Sequence, residues 1–194
     1  MNHALKTLAV SLAAAAPLAA SPAVAGDKEF FESAQGVWVG PGEIVAGKYK
    51  GTKFTCRLNG STPAGKVGMT LDGSCRVGVF SQKMSATIER RGGSYRGKFL
   101  DGAAGEGLDI VSGKVSGKRV TMNINRSKLS GAMTARIPNA NAMNVAVSVR
   151  VDDQMIRVIG MDLKRVEGGP VGDVATGDVA KKALARRADE KRVA

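Results

Sequence analysis

The stretch that decides the fold lies late in the chain and reads AMNVAVSVRVDDQMIRVIGMDLKRV (residues 142–166). Valine occupies every second position of residues 145–151, and the positions between are small or polar. A period of two is typical of a strand with one buried and one solvent-facing side. The two aspartates in residues 151–154 predict a hairpin turn that joins this strand to a second one at residues 155–166.

The same alternation recurs in shorter runs throughout residues 36–166, where helical periodicity is missing. The runs are separated by pairs that tolerate positive φ: Asn59-Gly60, Asp72-Gly73, Gly92-Gly93, Asp101-Gly102 and Ser116-Gly117. One hairpin is expected to join strands at residues 85–89 and 95–99. The pattern predicts an all-β fold, an antiparallel up-and-down barrel of about eight to ten strands.

The first 25 residues have the pattern of a cleaved secretory signal. Lys6 supplies positive charge, residues 7–20 are rich in Ala and Leu, and residues 23–25 (AVA) offer the small side chains of a cleavage site. The Ala-rich composition is typical of bacterial leaders, so we expect a periplasmic or secreted protein. No later segment is apolar for long enough to predict a transmembrane helix.

These features divide the chain into three parts. Residues 1–25 are the expected signal peptide, residues 26–167 the barrel domain, and residues 168–194 a flexible or partly helical basic tail. Within the tail, basic residues occur in pairs at positions 181–182, 186–187 and 191–192.

Cys56 and Cys75 are the two cysteines of the chain. An even pair in an exported protein predicts a disulfide. A redox-active pair is the alternative, but the spacing is not the C-x-x-C in which one thiol pKa is lowered.

Histidine occurs once, as His3, within the expected leader. A mature chain without imidazole excludes Ser-His-Asp and Cys-His nucleophiles and any zinc site built on histidine. Asp101, Glu106 and Asp109 share a Gly-rich loop without the ligand spacing of an EF-hand. We therefore expect no enzymatic activity, no cofactor and no bound metal.

The chain is strongly basic, with 29 Lys+Arg against 17 Asp+Glu and a net charge of +12. Clusters of basic residues are candidate anion-binding sites: Lys48, Lys50 and Lys53; Arg90, Arg91, Arg96 and Lys98; Lys114, Lys118 and Arg119. In an exported protein the expected partners are anionic lipid, lipopolysaccharide or an acidic protein, and nucleic acid is not expected. The alternative for each cluster is a solvated hairpin face.

Residues 30–38 (FFESAQGVW) carry a family resemblance. We expect a short turn that bears Phe30 and Phe31 and leads into a Gly-x-Trp triplet at the start of the first strand. This arrangement resembles the opening of calycins, the lipocalin-like barrels. The resemblance implies that Trp38 packs across the closed bottom of the barrel and that Gly36 allows close backbone approach. It also implies an arginine stacked on the tryptophan, for which Arg157 and Arg165 are the candidates.

The interior of such a barrel has two alternatives. The eight aromatic residues all lie within residues 30–99, and later strands offer Val, Met, Ile and Ala. These side chains either line an apolar cavity or fill a narrow barrel, and the sequence favours the filled core. The seven methionines after the leader are expected to be core residues rather than a metal site, because they are scattered over different strands.

The function expected from the sequence is non-enzymatic binding of an anionic or amphipathic component of the cell envelope. The alternative is an inhibitor or interaction module for a periplasmic protein such as a protease. A large apolar cavity beneath basic hairpins would favour ligand binding, whereas a filled barrel with a protruding N-terminal segment would favour inhibition.

Overall fold

The computed structural model describes residues 22–100 and 107–166, which form one helix followed by a closed barrel. The helix, α1, spans Pro22–Ser33. The strands are β1 (Gly36–Ile44), β2 (Lys53–Ser61), β3 (Gly68–Val77), β4 (Phe80–Arg91), β5 (Ser94–Leu100), β6 (Leu108–Ser116), β7 (Arg119–Arg126), β8 (Leu129–Asn139), β9 (Ala142–Val151) and β10 (Gln154–Val166).

Each strand pairs antiparallel with its neighbours in sequence, and β1 pairs with β10, so the sheet closes on itself. The all-β prediction and the predicted up-and-down barrel are therefore confirmed, with ten strands. The end that α1 covers is called the closed end, and it holds the β2–β3, β4–β5, β6–β7 and β8–β9 connections. The other is called the open end, and it holds the β1–β2, β3–β4, β5–β6, β7–β8 and β9–β10 connections.

Several predicted turns are confirmed. Gly92-Gly93 separates β4 from β5, and Gly117 begins the turn between β6 and β7. Asp152, which has a positive φ, lies in the predicted turn between β9 and β10. Asp101-Gly102 lies outside the described residues.

Two predicted turns are wrong, because Asn59-Gly60 lies inside β2 and Asp72-Gly73 lies inside β3. At these places glycine is required by close packing rather than by a turn. A Cβ on Gly60 would lie 2.6 Å from the carbonyl oxygen of Ala34, and a Cβ on Gly73 would collide with the backbone of β2.

The aromatic segment before the first strand belongs to α1 and is not the isolated turn that the sequence suggested. The predicted cleavage site after Ala25 falls in the first turns of this helix. Most of the predicted signal peptide (residues 1–21) and the predicted tail (residues 168–194) lie outside the described residues. No helix in the described part of the chain has the length and apolar character needed to cross a bilayer.

Cys56 on β2 lies directly opposite Cys75 on β3, and the two form a disulfide. The predicted pairing is confirmed. The bond links neighbouring strands on the inner face of the barrel, where Cys56 is fully buried.

Reduction of this disulfide is expected to lower the free energy of unfolding by about 3 kcal/mol, because a loop of about 20 residues is no longer closed in the unfolded chain. Urea unfolding with and without dithiothreitol measures the difference. The control is the Cys56→Ala/Cys75→Ala variant, whose stability the reductant should leave unchanged. Equal stability of the oxidised and reduced wild-type protein would contradict the prediction.

Candidate ligand cavity

Helix α1 closes one end of the barrel with its apolar side. Phe30, Phe31 and Ala34 are buried beside Trp38, which has no solvent-exposed surface. The indole nitrogen of Trp38 donates a hydrogen bond to the carbonyl oxygen of Ala34 at 2.9 Å. The indole therefore fills the bottom of the barrel and is fixed to the segment that follows the helix.

Arg165, near the end of β10, holds this arrangement together. Its guanidinium carbon lies 4.1 Å from the ring centre of Trp38, a cation–π contact. The same guanidinium donates hydrogen bonds to the carbonyl oxygens of Ser33, Gln35 and Ala140. A cation that binds the carbonyls at the C-terminal end of α1 also interacts favourably with the helix dipole.

Gly36 makes room for this guanidinium. A Cβ at this position would lie 2.9 Å from Nη1 of Arg165, and the backbone has a φ of +98°, which side chains rarely adopt. Arg157, the other candidate for the stack, instead lies against Gly160 on the opposite face of β10. Of the two arginines, Arg165 is the one that contacts Trp38.

A second polar contact joins α1 to the barrel wall. The hydroxyl of Tyr95 donates a hydrogen bond of 2.5 Å to Oδ2 of Asp27, and Nε of Arg90 lies 3.7 Å from the same oxygen. The ring of Tyr95 also contacts Phe31, with ring centres 5.3 Å apart. Burial, reinforced by the hydrogen bond to the Asp27 carboxylate, raises the pKa of Tyr95 above its ordinary value.

Above this floor the barrel encloses a cavity of about 310 Å³. Gln82 is the one lining residue with an amide side chain, and charged side chains are absent from the described lining. Six methionines contribute to the wall: Met69, Met84, Met122, Met133, Met143 and Met161. Methionine is flexible and polarisable, so such a wall adapts to the shape of an apolar guest.

The filled core that the sequence favoured is therefore wrong. Eight strands give an interior just wide enough to be filled by side chains, and ten strands enclose more space. Small residues such as Ala86 and Ala135 also lie among the lining positions. A period of two in the sequence shows which side chains point inward. It does not show whether their summed volume fills the interior of the barrel.

The cavity reaches the open end of the barrel. Two of its lining residues there, Val77 and Gln82, are exposed to solvent. At the same end, exposed Lys48 and Lys50 lie in the β1–β2 connection, and exposed Lys53 begins β2. Three of the predicted anion-binding residues thus lie at the same end of the barrel as the mouth of the cavity, in or beside the β1–β2 connection.

The other predicted anion-binding residues do not lie beside these lysines at the open end. Lys98 lies within β5, and the rest lie toward the closed end: Arg90, Arg91, Arg96, Lys114, Lys118 and Arg119. Several of these side chains already contact partners on the protein.

These partners are mostly carboxylates. Besides the Arg90–Asp27 pair, Arg91 lies 3.4 Å from Glu89 and Lys98 lies 3.9 Å from Asp109. Nζ of Lys118 donates a hydrogen bond of 2.8 Å to the carbonyl oxygen of Pro138.

Within residues 22–100 and 107–166, no group of three or more His, Cys, Asp or Glu side chains could hold a metal ion. No protein-family model matches the chain, and no curated protein matches it either. The function is therefore inferred from the cavity and its surroundings.

The roles of Asp27 and Tyr95 could not be found from the sequence, because they are far apart in the chain and neither belongs to a motif. The contact between Trp38 and Arg165, in contrast, could have been predicted from the sequence. In a closed barrel the start of the first strand pairs with the end of the last one, and Trp38 is directly opposite Arg165 in that register.

Substitution Arg165→Ala is expected to lower the free energy of unfolding by about 2–4 kcal/mol, because charge-assisted hydrogen bonds and the stack on Trp38 are lost together. Urea unfolding followed by the fluorescence of Trp38, the single tryptophan, measures the change. The control is Arg157→Ala on the same strand, which should cost less than about 0.5 kcal/mol. Equal losses in the two variants would contradict the role given to Arg165.

Tyr95→Phe is expected to change how stability depends on alkaline pH. Because the pKa of Tyr95 is higher in the folded than in the unfolded protein, its stabilisation is complete below pH 10, the ordinary tyrosine pKa, and is lost progressively above it. Urea unfolding between pH 9 and 11 should show a steeper fall in wild type than in Tyr95→Phe. Tyr49→Phe, at the other, exposed tyrosine, is the control and should fall as steeply as wild type.

Proposed function

We propose that the protein is a non-enzymatic binding protein that holds the apolar chain of an amphipathic molecule in its barrel and leaves the anionic head group at the open end. The observation that carries this proposal is an apolar cavity of about 310 Å³, closed by α1 and Trp38 at one end, with Lys48, Lys50 and Lys53 exposed at the other end of the barrel.

The lining supports an apolar guest, because a buried charge would find no compensating partner there. A charged or polar head group would therefore remain at the mouth, where the three lysines attract anions. The volume lies at the lower end of the range for small-molecule sites, which is about 300–1,000 Å³. A single flexible chain suits this space and the methionine-rich wall better than a bulky rigid ring system.

The same proposal includes a calycin-like relationship and a location in the periplasm or outside the cell. The Gly36-x-Trp38 opening and the stack of Arg165 on Trp38 support the relationship. Ten strands differ from the eight of lipocalins. The disulfide and the leader-like residues 1–25 support an oxidising compartment.

An inhibitor of a protease is less well supported by the same geometry. A filled barrel with a protruding N-terminal segment is the arrangement that the sequence led us to expect of an inhibitor. The interior is hollow, and Phe30 and Phe31 of α1 are buried against the barrel.

The proposal is tested with cis-parinaric acid, a fluorescent fatty acid, and its displacement by palmitate. Wild type should bind the probe, and Ala135→Phe should bind it at least tenfold more weakly, because the added ring occupies the cavity. The matched control is Ala132→Phe on the outer face of the same strand, which should bind as wild type does.

Extra volume in a core lowers the free energy of unfolding by about 1–3 kcal/mol. Circular dichroism is therefore used to check that both variants are folded. Absence of probe binding by wild type, or equal binding by folded Ala135→Phe, would overturn the proposal.

A further inference from the structure

Exposed apolar residues are concentrated at the open end of the barrel. The described residues include nine large apolar side chains that are exposed, and all except Val166 lie at this end. The most exposed are Val79 and Phe80 in and beside the β3–β4 connection, at 90% and 79%, followed by Tyr49 at 63%. We name the apolar rim after its main residues: Tyr49, Val77, Val79, Phe80, Leu129 and Val151.

Basic residues flank the apolar rim in sequence and in space. Lys48 and Lys50 stand on either side of Tyr49, and Nζ of Lys48 lies 5.5 Å from the centre of its ring. The same adjacency recurs around the open end, at Arg76-Val77, Lys128-Leu129 and Arg150-Val151. These basic side chains are all exposed.

Acidic residues are fewer at this end. Among the described residues near the open end they are Glu43 at the end of β1, Asp109 at the start of β6, and the pair Asp152 and Asp153 in the β9–β10 turn. Among residues 22–100 and 107–166, those around the apolar rim therefore have an excess of positive charge.

We propose that the open end docks on an anionic phospholipid bilayer, with Val79 and Phe80 inserted at the interface and the flanking Lys and Arg residues on lipid phosphates. Scattered exposed apolar residues are normal, but their concentration at one end marks an interaction surface. Positive residues close to an anionic bilayer each contribute about 1 kcal/mol, so charge and apolar insertion act together.

The composition of this surface favours lipid over a protein partner. Lysine is depleted in protein–protein interfaces, whereas here Lys48, Lys50 and Lys128 directly adjoin apolar rim residues. On a bilayer the same arrangement is favourable, because long basic side chains lie along apolar surface while their charges reach the head groups.

The proposed docking depends on the exposed residues alone and does not require a ligand in the cavity. It has a consequence that rests on the proposed function. Val77 belongs both to the apolar rim and to the cavity lining, so the cavity would open toward the bilayer. A lipid chain could then move between the bilayer and the barrel with little contact with water.

The test is flotation of the purified protein with vesicles of phosphatidylcholine alone or with 30% phosphatidylglycerol. Wild type should bind the anionic vesicles and not the neutral ones. Val79→Ser/Phe80→Ser should lower binding at least tenfold, and Lys48→Gln/Lys50→Gln/Lys53→Gln about 100-fold at low salt. Because these side chains are exposed, the variants should keep the circular dichroism and Trp38 fluorescence of wild type.

Two matched controls use the closed end. Arg96→Gln/Lys114→Gln/Arg119→Gln removes the same amount of charge, and Val166→Ser removes the exposed apolar residue outside the open end. Both should change vesicle binding less than threefold. Equal loss in the two charge variants would mean non-specific attraction of a basic protein and would overturn the proposal.

Two further outcomes would also overturn it. One is binding to neutral vesicles as strong as to anionic ones. The other is a dimer in analytical ultracentrifugation that Val79→Ser/Phe80→Ser abolishes, without vesicle binding by wild type. Binding of cis-parinaric acid is measured on the same protein preparations without vesicles. Failure of docking with an intact cavity is thereby distinguished from failure of the proposed function.

Discussion

The contact between Arg165 and Trp38 is the constraint on which the rest of the structure depends. One guanidinium stacks on the indole and binds the carbonyl groups of Ser33 and Gln35, so a single side chain joins β10, β1 and the end of α1. The contact reinforces the β1–β10 pairing that closes the barrel, and it ties the helix to one end. Without that floor the interior would be an open tube and not a cavity with one mouth.

The described part of the molecule separates apolar residues inside from charged residues outside. The described cavity wall is apolar apart from Gln82, while basic residues are spread over the outside. Exposed apolar and basic residues adjoin one another at the open end, where Tyr49 stands between Lys48 and Lys50. Ligand binding is proposed for the interior of the barrel, and membrane docking is proposed for the surface around its mouth.

The sequence predicts the local features of this fold well. Alternation in residues 145–151 identifies a strand because a pleated backbone turns successive side chains to opposite faces. The pairing of Cys56 with Cys75 was equally accessible, because a chain with two cysteines offers one intramolecular disulfide. Gly60 and Gly73 misled the prediction, because close approach of other backbone segments and a turn both require glycine.

What the sequence did not predict depends on distant parts of the chain. The hollow interior results from the number of strands around the barrel, which no single run of residues specifies. Helix α1 was missed because its aromatic residues fit a short turn equally well. Among the candidate basic residues, the sequence could not separate those at the mouth, such as Lys53, from those paired elsewhere, such as Arg90 with Asp27.

The contact between Arg165 and the end of α1 is also expected to form late in folding. Ser33 and Arg165 are 132 residues apart, whereas the strands between them pair with their neighbours in sequence through local hairpins. Local pairing forms early and distant pairing late, because loop closure costs more entropy as the loop grows. A nascent chain that lacks β10 therefore has walls without a floor, and only a finished chain encloses the space in which a guest is held.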